Sequence, residues 1–213
     1  MILKKIQEQL QALYHIEMEY DVEDFLTSNK KGEPKITKIG SHLGNEALLI
    51  KTGMDHVEIA LFLDPSIIKA LKKRDPFTQL NCHNLNPFLT AVEGVSHFIY
   101  FLQRAEENQP VTQLELEIQA EIDKYLLACL LYYQLHGEVP DFLLTTVFEN
   151  FKWHPDLDKE QLERYVEANR LAAKFCFYIE QHYIRHKKWH TALEMARNFY
   201  HLNHWQKIRF LTP

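Results

Sequence analysis

The chain has 213 residues, 46% of them hydrophobic and 25% charged, a globular balance long enough to bury a core without disulfide or metal staples. Acids outnumber Lys and Arg by 29 to 24, and the net charge of −5 argues against a general footprint for nucleic acid or an anionic membrane.

Residues Ile2 to about His15 read as an amphipathic helix, with Leu3, Ile6, Leu10 and Leu13 on one stripe. The following YDVEDFLT is a short half-polar strand candidate, and Ser28–Gly40 reads as a basic turn or loop with two glycines and a proline. Two strands are expected at Glu46–Thr52 and His56–Leu63, joined by a hairpin over Thr52–Asp55. In the second, Val57, Ile59, Leu61 and Leu63 alternate with His56 and Glu58. Asp64-Pro65 has the form of an N-cap with proline at the first helical position, opening a helix over SIIKALKKR.

Beyond Asp75 only helical signals remain. Asn86-Pro87 opens a helix to about Gln103. Thr112 caps a long helix to Leu135, which Gly137 and Pro140 terminate. A shorter helix covers Asp141–Phe151, and WHPDLD is a loop. Asp158 with Gln161 three residues on forms a capping box for a helix to about Lys187, and a last helix spans Thr191 to about Lys207. There is no internal repeat. The fold class is therefore α+β, predominantly α. Residues 1–74 make a small N-terminal antiparallel sheet with flanking helices, packed as one compact unit on a bundle of about five helices at 75–213.

The start, MILKKIQEQLQ, turns polar too soon for a secretion signal, and the longest apolar run, Tyr125–Tyr133, is too short to cross a membrane. Cys82, Cys129 and Cys176 are widely spaced with no CxxC, which fits a reducing compartment; a cytoplasmic location is expected.

Charges inside apolar stripes are the informative positions, because a buried charge needs a partner. In the Thr112 helix, Leu114, Ile118, Tyr125, Ala128 and Tyr132 form a seam. Glu121 falls within it, and Glu117 lies one turn earlier. Two adjacent buried carboxylates repel, so a proton, a cation or a basic side chain must relieve them. In the Pro87 helix, Glu93 and His97 lie one turn apart, opposite the face of Phe88, Val92, Val95, Ile99 and Leu102. The short connection between these helices makes them antiparallel neighbours, so Glu93 and His97 can face Glu117 and Glu121. Three outcomes follow: a metal site holding zinc, iron or manganese, a structural network in which His97 and Lys124 satisfy the acids, or a Glu117 that simply faces water.

A second, weaker metal candidate is His182 with His186, extended by His190 if one helix carries all three. Glu180 and Asn169 share a stripe with Leu162, Val166, Ala173, Phe177 and Ile184, and can bond across the bundle or join Glu121. Neither Ser96-His97 nor Cys82-His83 has the setting of a nucleophile, and phosphate-loop and dinucleotide motifs are absent. From His182 onward, Arg185, Lys187, Lys188, Arg197, Lys207 and Arg209 are interleaved with Trp189, Phe199, Tyr200 and Trp205. The functional expectation is a non-catalytic interaction or scaffold protein, binding a protein partner or its own copies through the first helix and this tail. A metal-dependent hydrolytic or oxidative enzyme is the alternative, and nucleic-acid binding by the tail is a third reading that the overall charge disfavours.

Overall fold

The structure, a computed structural model, describes residues 1–28, 37–39, 44–53, 56–149 and 157–212. Helix α1 spans Ile2–Tyr14 and ends on His15 in the left-handed conformation. Its stripe of Leu3, Ile6, Leu10 and Leu13 is buried, as the period requires. The expected strand over YDVEDFLT is instead a 3-10 turn at Val22–Phe25 followed by a two-residue strand, β1 (Leu26–Thr27). Asp21 explains the difference: its side chain accepts the Glu23 N–H and caps the turn. Thr37–Ile39, within the stretch read as a loop, forms strand β2. The rest of that stretch from residue 29 to 36, residue 40, the hairpin tip at 54–55 and most of WHPDLD lie outside the described residues.

Strands β3 (Glu46–Thr52) and β4 (Val57–Leu63) pair antiparallel as expected, with Leu48 opposite Leu61. The sheet order is β1-β4-β3-β2. It is a mixed sheet, not purely antiparallel, because β1 runs parallel to β4 with Leu26 opposite Leu61. Leu48, Ile50, Leu61 and Leu63 face the main core, while Ala47, Leu49 and Phe62 form a small cluster of their own. Val57, at the hairpin end, is 47% exposed, so the alternation read from sequence buries only the far half of the strand.

Helix α2 (Pro65–Lys73) starts as its sequence dictates: the Asp64 carboxylate accepts the Ser66 N–H at 2.8 Å, and Pro65 takes the position whose N–H would be unpaired. Helix α3 (Leu85–Glu106) begins just before the expected Asn86-Pro87, after Asn84. The Asn84 side chain is spent on Asn81 N–H and on the Gln79 and Arg74 carbonyls, tying α2 to α3. Gly94 sits where α3 meets the sheet. A methyl group there would lie 3.2 Å from both Glu46 Oε2 and Leu61 Cδ1, so the missing side chain sets how closely helix and sheet approach.

Helix α4 (Gln113–His136) carries the capping box at Thr112 and Glu115, and it ends on Gly137 in the left-handed conformation. It is the central helix, packed on α3 along one side and on α6 (Lys159–His182) along another, with the short α5 (Phe142–Phe148) beside it. Helix α6 stops at His182, and a 3-10 turn over Ile184–His186 replaces the expected last turns. The single final helix expected from the sequence is two: α7 (Trp189–Tyr200) and α8 (His204–Leu211). Asn203 and Gln206 form a capping box that starts α8 afresh. Helix α7 returns to α1, where the Arg197 guanidinium donates to the Leu13 carbonyl at 2.7 Å across 184 positions of sequence. One hydrophobic cluster runs from Leu3 to Leu211, and no helix among the described residues is long and apolar enough to cross a membrane.

Candidate functional site

The turn between α3 and α4 is short, and it lays the two helices against each other so that their charged positions meet. Glu93, His97, Glu117 and Glu121 are all buried at this contact. They are joined by Glu46, at the first position of β3, and by Lys124, one turn beyond Glu121. The centre divides in two. The Lys124 ammonium lies 2.7 Å from Glu121 Oε1 and 3.2 Å from Glu93 Oε2, bridging α4 to α3. The His97 ring lies between two other carboxylates, with Nδ1 at 3.6 Å from Glu46 Oε2 and Nε2 at 3.5 Å from Glu117 Oε2.

Burial is the dominant influence on these groups. It pushes Glu46 and Glu121 up to about 7, against the opposing pull of His97 and Lys124 respectively. Glu117 is raised by the same cause, opposed by His97 and, from α6, by Arg164. For His97, burial favours the neutral ring, but the Glu46 and Glu117 carboxylates outweigh it and raise the group well above the ordinary imidazole value. Lys124 is also raised, because Glu121 and Glu93 outweigh its desolvation. Four carboxyls therefore share a dry interior with two cationic side chains, and Glu46, Glu117 and Glu121 hold protons to higher pH than free carboxyls do.

The four residues predicted from the sequence as one constellation are thus brought together, and both basic groups named as partners for the acids, His97 and Lys124, stand between them. The donor types suit zinc, iron or manganese. Their arrangement is less suited: Lys124 occupies the space between Glu93 and Glu121, and among the described residues no three His, Cys, Asp or Glu side chains are grouped to hold an ion. Among the described residues, neither ring nitrogen of His97 makes a hydrogen bond, and the same is true of Glu117 Oε1 and Glu121 Oε2.

Sequence reasoning missed a second polar network beside the first. Asp123 accepts from Tyr14 of α1, from Ser96 of α3 at 2.6 Å and from the Gln119 amide at 2.8 Å. Burial raises its carboxyl to about 6 despite these three donors. Gln119 Oε1 in turn accepts from Lys207 at 2.8 Å. The Lys207 ammonium is fully buried over the rings of Tyr100, Phe199 and Tyr200, at 4.4, 4.8 and 5.7 Å from their centres. Burial and the neighbouring Arg104 hold it well below the ordinary lysine value. Lys207 is therefore a core residue and no part of a basic docking tail. Its position on the buried side of α8, between Asn203 and Leu211, was hidden by the assumption of one continuous helix.

The other candidates are dispersed. His182, His186 and His190 are exposed and belong to α6, the 3-10 turn and α7 respectively, so no single helix aligns them. His182 lies against Tyr178 with the rings tilted, and His190 lies near Glu194. Glu180 is buried and paired with Arg185, and Asn169 donates to the Phe148 carbonyl at 3.0 Å; neither joins the centre around Glu121. Leu162, Val166 and Phe177, read as part of their stripe, are exposed. Cys129 and Cys176 are buried free thiols, as expected, and Cys82 is exposed. Ser96 serves Asp123 and has no nucleophile's geometry.

The surface offers a different kind of feature. On α8, Lys207 and Leu211 face inward, which leaves Trp205 78% exposed and Phe210 48% exposed with Gln206 and Arg209 on the outer side. The apolar stripe of α1, by contrast, is used up inside the molecule against α3 and α7. No protein-family model, no curated protein and no solved structure matches this chain.

Proposed function

We propose that the chain is a non-catalytic interaction protein that binds a protein partner, or a second copy of itself, through the outer face of α8. The observation that supports this is Trp205, a large aromatic left 78% exposed beside Arg209 and the half-exposed Phe210. Tryptophan and arginine are the residue types that anchor protein interfaces: tryptophan buries a large ring with few rotors, and arginine presents a planar fork of donors. The interior fits the same reading: Lys124 lies between Glu93 and Glu121 and His97 between Glu46 and Glu117, so its charges face one another.

Light scattering across concentration, together with cross-linking in the native extract, tests it. Self-association or a defined cross-linked partner is expected for the natural chain, and Trp205→Ala is expected to weaken it by about 2 kcal/mol or more. A variant with the same mass and the same partners would remove α8 from the account.

A second reading, a metal centre within α3 and α4, draws on the absence of hydrogen bonds at both His97 nitrogens. In that case Glu93, His97, Glu117 and Glu121 would be the ligands, and a divalent ion would have to displace Lys124 from between Glu93 and Glu121. Mass-spectrometric metal content of tag-free protein decides it. Near-stoichiometric zinc, iron or manganese that is lost in Glu121→Gln supports the centre, and no metal in either sample sinks it.

A further inference from the structure

A pocket of about 300 Å³ opens where the end of α4, the 3-10 turn at Ile184–His186 and the start of α7 come together. Its walls include the half-buried rings of Tyr133 and Trp189, with centres 4.8 Å apart, and the aliphatic Ile184. The volume falls at the low end of the roughly 300–1,000 Å³ typical of small-molecule sites, so the pocket suits a compact ligand. All of its lining is within the described residues, and none of it belongs to α8.

The lining carries two acids and two bases, and they are not equivalent. Arg185 is already engaged: it pairs with the buried Glu180 and with Asp141, and its Nη1 donates to the Val139 carbonyl at 3.4 Å. Glu138 and Lys187 are exposed and make no ion pair among the described residues, either with each other or elsewhere. One uncommitted charge of each sign therefore remains at the pocket.

The backbone reinforces both. Glu138 follows Gly137, the left-handed residue that ends α4, and a helix C-terminus carries partial negative charge. Lys187 stands just before Lys188 and Trp189, where α7 starts without a side-chain cap among the described residues. An uncapped N-terminus leaves N–H groups free and carries partial positive charge. An anion alone would meet Glu138 and the end of α4, and a cation alone would meet Lys187. A molecule bearing both charges satisfies both ends, and an aromatic ring on it finds Trp189 and Tyr133.

We infer that this pocket binds a free aromatic α-amino acid. The carboxylate meets Lys187 and the start of α7, the ammonium meets Glu138 and the end of α4, and the ring lies against Trp189. The inference does not rest on the α8 reading, since the two use separate residues.

Isothermal titration calorimetry of the tag-free full chain tests it, with L-phenylalanine, N-acetyl-L-phenylalanine and L-phenylalanine amide as the probes. L-Phenylalanine is expected to bind saturably. Each blocked form leaves one end of the pocket unmatched and should bind about tenfold more weakly. The exposed variants Glu138→Gln and Lys187→Gln should each weaken L-phenylalanine about fivefold. Lys187→Gln should also lose its preference for phenylalanine over the amide, and Glu138→Gln its preference over the acetylated form. Trp189→Ala, with its fold checked by circular dichroism, should abolish binding. No saturable binding of L-phenylalanine, equal binding of the blocked forms, or binding unchanged in both charge variants overturns the inference. Trp205→Ala should leave the titration unchanged, so the pocket can fail while the α8 reading stands, and the reverse.

Discussion

At the scale of single residues, the α3–α4 centre makes a signed statement about pH. Glu46 and Glu121 move from the ordinary 4.5 up to about 7, and Asp123 moves from 3.8 to about 6. His97 is raised as well. Each group holds its proton to higher pH in the folded chain than in the unfolded one, so the native state carries extra protons through this window. Stability is then greatest below the ordinary carboxyl range and declines as pH rises toward about 7, with His97 extending the loss to higher pH. One extra bound proton changes stability by about 1.4 kcal/mol per pH unit, so the melting temperature should fall by several degrees between about pH 5 and 7.5. Glu46→Gln, which fixes a neutral group of the same shape beside His97, should flatten that slope. A melting temperature that rises across the window would refute this account. Glu121 could be read from the sequence because it breaks the apolar seam of a long helix, Glu117 because it lies one turn earlier, and Glu93 and His97 because a short connection sets their helix against that seam. Glu46 could not, since it opens a strand and no periodic pattern flags it. Asp123 escaped for another reason: α4 is covered on nearly every side, so it has no solvent face against which a misplaced charge stands out.

At the scale of elements, the caps written in the sequence proved the best guides. Asp64, Thr112, Asp158 and Gly137 bound their helices as their side chains or backbone freedom require. The same logic was overlooked at Asn203 and Gln206, where the apolar spacing runs on from α7 while the capping box starts α8. An eight-residue helix is too short to persist alone, so α8 depends on this cap and on the burial of Lys207 and Leu211. Asn203→Ala removes the acceptor for the Gln206 N–H, held at 3.0 Å, and should cost about 1 kcal/mol. Hydrogen exchange should then quicken over His204–Leu211 and leave α4 protected. Equal quickening in α4 would mean that α8 does not open by itself. The mixed sheet was beyond reach from sequence, because a two-residue strand has no period and its pairing with β4 is set by the 3-10 turn before it.

At the scale of the whole molecule, the helical bundle and the sheet were legible in outline because long helices and a hairpin announce themselves by period and caps. Their mutual arrangement was not, since it depends on contacts between distant segments. The clasp of α7 on α1 is the most distant of these, joining Arg197 to Leu13. Its consequence lies in biosynthesis. Leu3, Ile6, Leu10 and Leu13 leave the ribosome well before α7, one of the helices that covers α1, whose Arg197 is translated 184 positions after Leu13. At ordinary elongation rates the nascent chain carries that oily strip for roughly 10 to 40 s before α7 is made, an interval in which a chaperone can hold it.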